Sequence, residues 1–322
     1  MSKGTLRAYL DFAPREESFR DVALAGLTRH RKAIPCRFLY DARGSELFEA
    51  ICNLPEYYVT RAEIALLAER AGEIAARIGP RARLIEFGSG ASTKVRLLLA
   101  ALDRPASYVP IDISGGMLHP AASAVAADFP ALAVIAVCAD YMEPLRLPAL
   151  VRLTTDRRVG FFPGSTIGNL TPEEAVVFLR GCRELLGPGG AMIVGADLKK
   201  DAGVLHAAYN DAAGVTARFT LNLLARMNRE LGADFNLKRF AHEAFYNPDA
   251  GRIEIYIRSL MDQLVTIAGR RIGFTAGERV HVEYSYKFSV DEFRRLALRA
   301  GFKPVDCWTD AENRFSVHYL VA

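Results

Sequence analysis

The sequence predicts an α/β protein organised around a doubly wound, mostly parallel sheet, and two observations carry that prediction. Apolar runs recur at 82–88, 107–113, 132–138, 159–163 and 191–196, separated by helical spacing at 93–102, 115–127 and 171–186. This is the strand-helix alternation of a parallel sheet covered on both faces. The first run, Leu84-Ile85-Glu86-Phe87, opens into Gly88-Ser89-Gly90, which reads as a strand, a tight turn and a helix start.

Before the first strand, apolar residues at 64, 66, 67, 71, 74, 75 and 78 predict a helix from Arg61 that ends at Gly79-Pro80. Thr171-Pro172-Glu173-Glu174 joins a cap, a first-turn proline and acids near the helix dipole, and Gly187-Pro188-Gly189-Gly190 closes that helix. After Lys200 the pattern becomes one long helix over about 201–230. Alternating segments at 252–260, 263–272 and 279–288 then suggest an antiparallel meander. Ser289-Val290-Asp291-Glu292 caps a helix running to Gly301, and strands at 302–309 and 314–321 form a closing antiparallel hairpin. The reading divides the chain into a core of residues 61–198 plus 286–322 and a smaller α+β lobe of residues 1–60 plus 199–285. The lobe is expected to lie over the carboxyl edge of the sheet, where open α/β sheets bind ligands.

Composition narrows the function classes. The 322 residues are 51% apolar with a net charge of +4, and basic and acidic residues interleave without blocks of one sign. That pattern does not suggest a nucleic-acid partner. Cys36, Cys52, Cys138, Cys182 and Cys307 are odd in number and widely spaced, which fits a reducing cytoplasm rather than a disulfide framework. Neither a signal peptide nor a membrane span is read, the six histidines form no ligand pair, no metal is expected, and a monomer is the expected state.

The glycine loop is the first candidate site. Gly88, Ser89 and Gly90 let backbone N–H groups approach a ligand closely, and Ser92 or Thr93 is placed to cap the following helix. A dinucleotide fingerprint would place a small residue where this chain has Thr93. An acid two residues before the first glycine suits S-adenosylmethionine (SAM), because Glu86 can hold its ammonium. Asp112 closes the second strand and suits the ribose hydroxyls. Asp140 can accept the adenine amino group, with Tyr141 packing on the ring. The plainer reading of each acid is a cap on the next turn. Lys94 is read either as a partner for the methionine carboxylate or as a solvated helix charge. At the fourth strand end, Phe161-Phe162-Pro163-Gly164-Ser165-Thr166-Ile167-Gly168-Asn169 lacks the Asn/Asp-Pro-Pro-aromatic motif of enzymes that methylate base amino groups. Asn169 can instead offer an amide to a small polar substrate.

Several motifs outside this core carry a resemblance. Tyr40-Asp41-Ala42-Arg43-Gly44-Ser45-Glu46-Leu47-Phe48, Leu54-Pro55-Glu56-Tyr57-Tyr58, the Phe-Pro-Gly-Ser-Thr-Ile-Gly-Asn run, Ala208-Tyr209-Asn210-Asp211 and Glu283-Tyr284-Ser285-Tyr286-Lys287-Phe288 together resemble the SAM-dependent histidine Nα-methyltransferases of ergothioneine biosynthesis. The resemblance covers nearly the whole chain. It implies a class I SAM-methyltransferase, Rossmann-like sheet and three successive methyl transfers to the α-amino group of L-histidine, giving hercynine and S-adenosylhomocysteine. It also implies that Asn169 and Tyr209 bind the substrate carboxylate, with Gly164 beside them, that Tyr57 lies near the amine, and that Tyr40 lies close to the ring. Glu283 and Ser285 would hold the two imidazole nitrogens. Tyr57, Asn169 and Tyr209 are therefore the expected catalytic residues. The alternatives are methylation of another amine, tryptophan- or tyrosine-like, and a SAM-binding protein without turnover.

Overall fold

The computed structural model describes residues 4–12, 18–90, 92–143, 145 and 156–322. Ala91 of the glycine loop and the first three residues lie outside them. The chain divides into two compact units, one of residues 1–15, 62–198 and 288–322, the other of residues 16–61 and 199–287.

The first unit is built on one eight-stranded sheet. Its strands are β1 (Ala8–Asp11), β2 (Arg83–Phe87), β3 (Ser107–Asp112), β4 (Ile135–Cys138), β5 (Arg158–Phe162), β6 (Ala191–Asp197), β12 (Lys303–Thr309) and β13 (Phe315–Val321). They run in the order β1-β4-β3-β2-β5-β6-β13-β12. The first six are mutually parallel, and β13 enters antiparallel between β6 and β12. The order reverses at β2, which pairs with β3 on one side and β5 on the other. Such a reversal opens a crevice at the carboxyl ends of the strands, and the glycine loop follows β2 directly. All residues of β2 and β6 are buried, as in a parallel sheet covered on both faces.

The two expected caps form in full. Thr171 and Glu174 make a reciprocal capping box around Pro172, and Ser289 and Glu292 make another. Gly187, at φ 72°, ends the helix Pro172–Leu186. Three expectations need correction. Residues 8–11, assigned by sequence to the smaller lobe, form β1 and pair with β4; a four-residue edge strand with one half-buried and one exposed face is too short and too polar to stand out as an apolar run. Ser92 does precede the helix Thr93–Ala101, but its backbone is left-handed (φ 55°) and its side chain makes no capping bond. The helix over 201–230 is two helices, Ala202–Tyr209 and Val215–Leu231. Asp211 causes the break by accepting the N–H groups of Val215 and Thr216 at 2.7 and 2.8 Å, and Gly214 supplies φ 64°.

The second unit contains that helix pair, the helices Phe19–Leu27 and Ala42–Cys52, and two small sheets. The meander is not continuous. β7 (Phe240–Asn247), β8 (Arg252–Ser259) and β11 (Arg279–Tyr286) form a three-stranded antiparallel sheet, and β9 (Gln263–Ile267) and β10 (Arg270–Phe274) form a separate hairpin. The stretch 263–272 turns back on itself because Ala268 and Gly269 both take positive φ, the geometry of a tight hairpin turn. Among the described residues no helix is long and apolar enough to cross a membrane.

Candidate active site

In the first unit, the expected cofactor residues and two of the expected substrate residues lie where the parallel strands end. Glu86 and Gly88 follow from β2, Asp112 ends β3, Asp140 follows β4, and Gly164 and Asn169 follow β5. Gly88 and Gly90 have φ values of 70° and 45°, which side chains rarely adopt. Gly88 N–H donates to the Ile111 carbonyl (2.9 Å), and the Tyr141 ring lies over Gly88, 3.5 Å from where a Cβ would stand. Asp112 accepts from Ser114 N–H at 3.0 Å and Gly90 N–H at 3.4 Å, so it braces the loop. Asp140 accepts from Met142 N–H at 2.8 Å, the turn-capping geometry of the plainer reading. Each acid is half-buried and spends one bond per occupied oxygen, so lone pairs remain for a ligand.

Glu86 is placed differently from a surface carboxylate awaiting an ammonium. It is 1% exposed and accepts a short hydrogen bond from Tyr108 Oη. Burial pushes its carboxyl up to about 8, against the lowering effects of the Tyr108 bond and the Lys94 ammonium. Lys94 is not simply a solvated helix charge. It forms an ion pair with Glu63 at 2.5 Å, and Glu63 is fully buried. Both Glu63 oxygens also accept the Gly164 N–H, at 2.9 and 2.8 Å. One acid thus ties the helix after the glycine loop to the turn that carries Asn169. Sequence reading missed Glu63, although a charged residue three and four positions before Leu66 and Leu67, on the buried face of a helix, is a usable signal. The Gly164 turn is bent through two left-handed residues, Gly164 (φ 82°) and Ser165 (φ 56°). Ser165 Oγ is anchored by the Asp197 N–H at 2.9 Å. Asn169 sits half-buried in the short 3-10 turn Thr166–Asn169.

These residues fit SAM on observations beyond residue type. Ser89 Oγ is buried without a hydrogen-bond partner among the described residues, and nothing lies within 4 Å of a Cβ position at Gly90. A polar ligand over the loop would meet an orphaned hydroxyl and open space.

In the second unit, the motif 40–48 proves to be architectural as well as chemical. Asp41 caps Ala42–Cys52 through Gly44 N–H (2.7 Å), accepts from Asn222 Nδ2 (2.7 Å) and pairs with Arg229 (2.5 Å), pinning two helices together. Gly44 passes so close to Leu39 that a Cβ would stand 1.8 Å from its carbonyl oxygen. These constraints hold Tyr40 against Phe48 and Phe219, with ring centroids at 5.4 and 5.3 Å. Tyr57 extends the same aromatic wall, 6.4 Å from Phe48 and 6.1 Å from Tyr209.

Tyr209, the last residue of its helix, is positioned by the chain break that Asp211 creates and by His242, whose Nε2 lies 2.9 Å from the Tyr209 carbonyl oxygen. Its Oη lies 2.9 Å from Ser285 Oγ. Glu283 and Ser285 share one face of β11 by the two-residue period. Burial pushes the Glu283 carboxyl up to about 7, opposed by the Lys287 ammonium. The Glu283 carboxyl group makes no hydrogen bond or ion pair among the described residues. The intervening Tyr284 and Tyr286 take the other face, where Arg252 stacks 3.6 Å from the Tyr284 ring centroid and donates to Tyr286 Oη at 2.5 Å. They do not line the face that Glu283 and Ser285 share. Sequence reading also missed Lys287, next on that face, which donates to Tyr209 Oη and Ser285 Oγ at 2.8 Å each.

Comparison with known proteins bears on this geometry. Residues 19–322 match the family described as histidine-specific methyltransferase, SAM-dependent. The chain belongs to that family. It is 41% identical to the histidine N-alpha-methyltransferase of Mycolicibacterium smegmatis, across 98% of this chain and 99% of that protein. The protein of the same name from Mycobacterium tuberculosis is 39% identical over 92% of each chain. Ergothioneine biosynthesis protein 1 of Neurospora crassa is 32% identical over 90% of this chain, which spans 33% of the fungal protein. Family membership makes the chain a SAM-dependent methyltransferase acting on an amino acid.

Proposed function

We propose that this chain transfers three methyl groups from SAM to the α-amino group of L-histidine, giving hercynine, the first step of ergothioneine biosynthesis, in the cytoplasm. The observation that carries the histidine assignment is the grouping of Glu283, Ser285 and Tyr209. A carboxyl group and two hydroxyls within one small region of β11 and the helix Ala202–Tyr209 match a ring with two polar nitrogens and a neighbouring carboxylate. Tryptophan has one ring N–H and tyrosine one hydroxyl, so either would leave a buried polar group of this set without a partner.

In this reading Glu283 and Ser285 hold the imidazole nitrogens, Tyr40 lies against the ring, and Tyr209 and Asn169 take the carboxylate, with Gly164 beside them. Glu86, Gly88, Ser89, Gly90, Lys94, Asp112, Asp140 and Tyr141 hold the cofactor. Bound there, SAM supplies a methyl group on a positively charged sulfur. The protein's contribution is to present an unprotonated amine in line with that methyl and to exclude water. Tyr57 suits an orienting role. Its phenol is pushed well above its ordinary value by burial and by the neighbouring Tyr209, so it keeps its proton and does not act as a base at neutral pH.

The test is mass spectrometry of the purified protein incubated with SAM and each proteinogenic amino acid in turn. A product of histidine heavier by three methyl groups is expected, with the others unchanged. Methylation of tryptophan or tyrosine instead would overturn the assignments of Glu283 and Ser285.

A further inference from the structure

The buried amine of Lys287 has no part in the reading above. Lysine is almost never buried unless its charge is put to use. Here the residue is 2% exposed, its Nζ donates to Tyr209 Oη and Ser285 Oγ at 2.8 Å each, and it lies 4.9 Å from the Tyr209 ring centroid. The two hydroxyl oxygens are themselves 2.9 Å apart, so the three groups close a triangle. Lys287 continues the face of β11 that carries Glu283 and Ser285, and its own N–H is held by the Gly251 carbonyl at 2.8 Å.

We propose that Lys287 is a positioning residue that fixes the hydrogen-bond polarity of the substrate pocket, so that Tyr209 donates to the amino-acid carboxylate while Ser285 accepts from a ring N–H.

The argument is one of donors and acceptors. An ammonium only donates, so it occupies a lone pair on both oxygens. Each hydroxyl has a second lone pair and one hydrogen, and the Tyr209–Ser285 contact uses one of the two hydrogens. A carboxylate only accepts, so Tyr209 must turn its hydrogen toward it. Ser285 then donates to Tyr209, which fills the tyrosine oxygen, and Ser285 is left with a single lone pair for the ring. Glu283 meets the other ring nitrogen through one shared proton, either donating as the acid to a neutral ring or accepting as the carboxylate from an imidazolium. Without the ammonium, both hydroxyls could rotate and exchange roles, and the preference would be lost.

This inference rests on the histidine reading, and the experiment separates the two. Turnover of histidine by the unaltered enzyme tests the reading. Steady-state kinetics of Lys287→Met, Lys287→Gln, Ser285→Ala and the double variant Lys287→Met/Ser285→Ala test the role of Lys287, with calorimetric SAM binding to each. For Lys287→Met we expect the KM for histidine to rise about tenfold or more, with SAM affinity within about twofold. Lys287→Gln keeps donors but not charge, and should hold the KM within about threefold of the unaltered enzyme. Adding Ser285→Ala to Lys287→Met should cost less than about threefold further, because both act through one contact. The inference is overturned if Lys287→Met binds SAM and leaves the histidine KM unchanged. It is equally overturned if Lys287→Gln is as impaired as Lys287→Met, or if Ser285→Ala costs the same with or without Lys287. Should Lys287→Met fail to bind SAM, the comparison of Lys287→Gln with the unaltered enzyme decides by the same thresholds.

Discussion

The two units place their functional groups by opposite means. In the first, topology does the placing: parallel strands end together, so Glu86, Asp112, Asp140 and Asn169 arrive at one edge although 83 positions separate the first from the last. In the second, side chains place one another. Asp41 pins two helices, Asp211 breaks a helix so that Tyr209 ends it, and Tyr209, Ser285 and Lys287 close a hydrogen-bonded triangle. A site built on strand ends tolerates change in neighbouring side chains, whereas a site built from mutual bonds loses several contacts when one member is removed.

The largest effect should come where the first unit breaks its own rule and relies on a side-chain pair. Lys94→Met leaves the fully buried Glu63 carboxylate without its cation, and stability should fall by about 3–5 kcal/mol in urea unfolding. Weaker SAM binding with unchanged stability would instead give Lys94 to the cofactor alone. Next in size is Glu283→Ala, which should raise the KM for histidine by the worth of a charge-assisted bond, about 1.5–3 kcal/mol, while calorimetry shows SAM binding intact. An unaltered KM would remove Glu283 from the pocket. Tyr57→Phe should then slow kcat by roughly tenfold with a smaller change in histidine binding, as expected of a hydroxyl that orients an amine. Equal losses in both would argue for simple binding.

A different kind of effect, one that appears only with pH, is expected at Glu86. Its native carboxyl is raised to about 8, so between the unfolded value of 4.5 and about 8 the native state holds a proton that the unfolded state has lost. Stability contributed by this group is therefore lost as pH rises through that window. Glu86→Gln, which stays neutral, should match the unaltered protein in melting temperature at acid pH and exceed it above pH 8. Parallel melting curves at both ends would show that Glu86 is ionised in the native state throughout.

Much of the first unit was legible because its rules are local. Buried parallel strands read as continuous apolar runs, and Thr171-Pro172-Glu173-Glu174 and Ser289-Val290-Asp291-Glu292 carry their caps within four residues. Gly88 and Gly90 announce a turn that only small residues can make. What escaped was non-local. β1 is defined only by its pairing with β4, and the fate of Lys94 depends on Glu63, 31 positions earlier. In the second unit, Tyr209, Glu283 and Ser285 were reached through resemblance, since period and propensity alone give Glu283 the look of an outward strand acid.

The sequence by itself therefore determined the alternation of strands and helices, the crevice loop and the residue types available to bind a cofactor and an amino acid, because each follows from spacing within a few residues. Tertiary structure alone decided which of those groups are also bonded within the protein. Glu86 bonds to Tyr108, Lys94 to Glu63, and Tyr284 and Tyr286 stack with Arg252 on the far strand face. Lys287, a solvated charge by composition, is buried beneath two hydroxyls. The physical reason is that burial and pairing depend on neighbours brought together by the fold, and a charge means one thing in water and another when its partners are fixed.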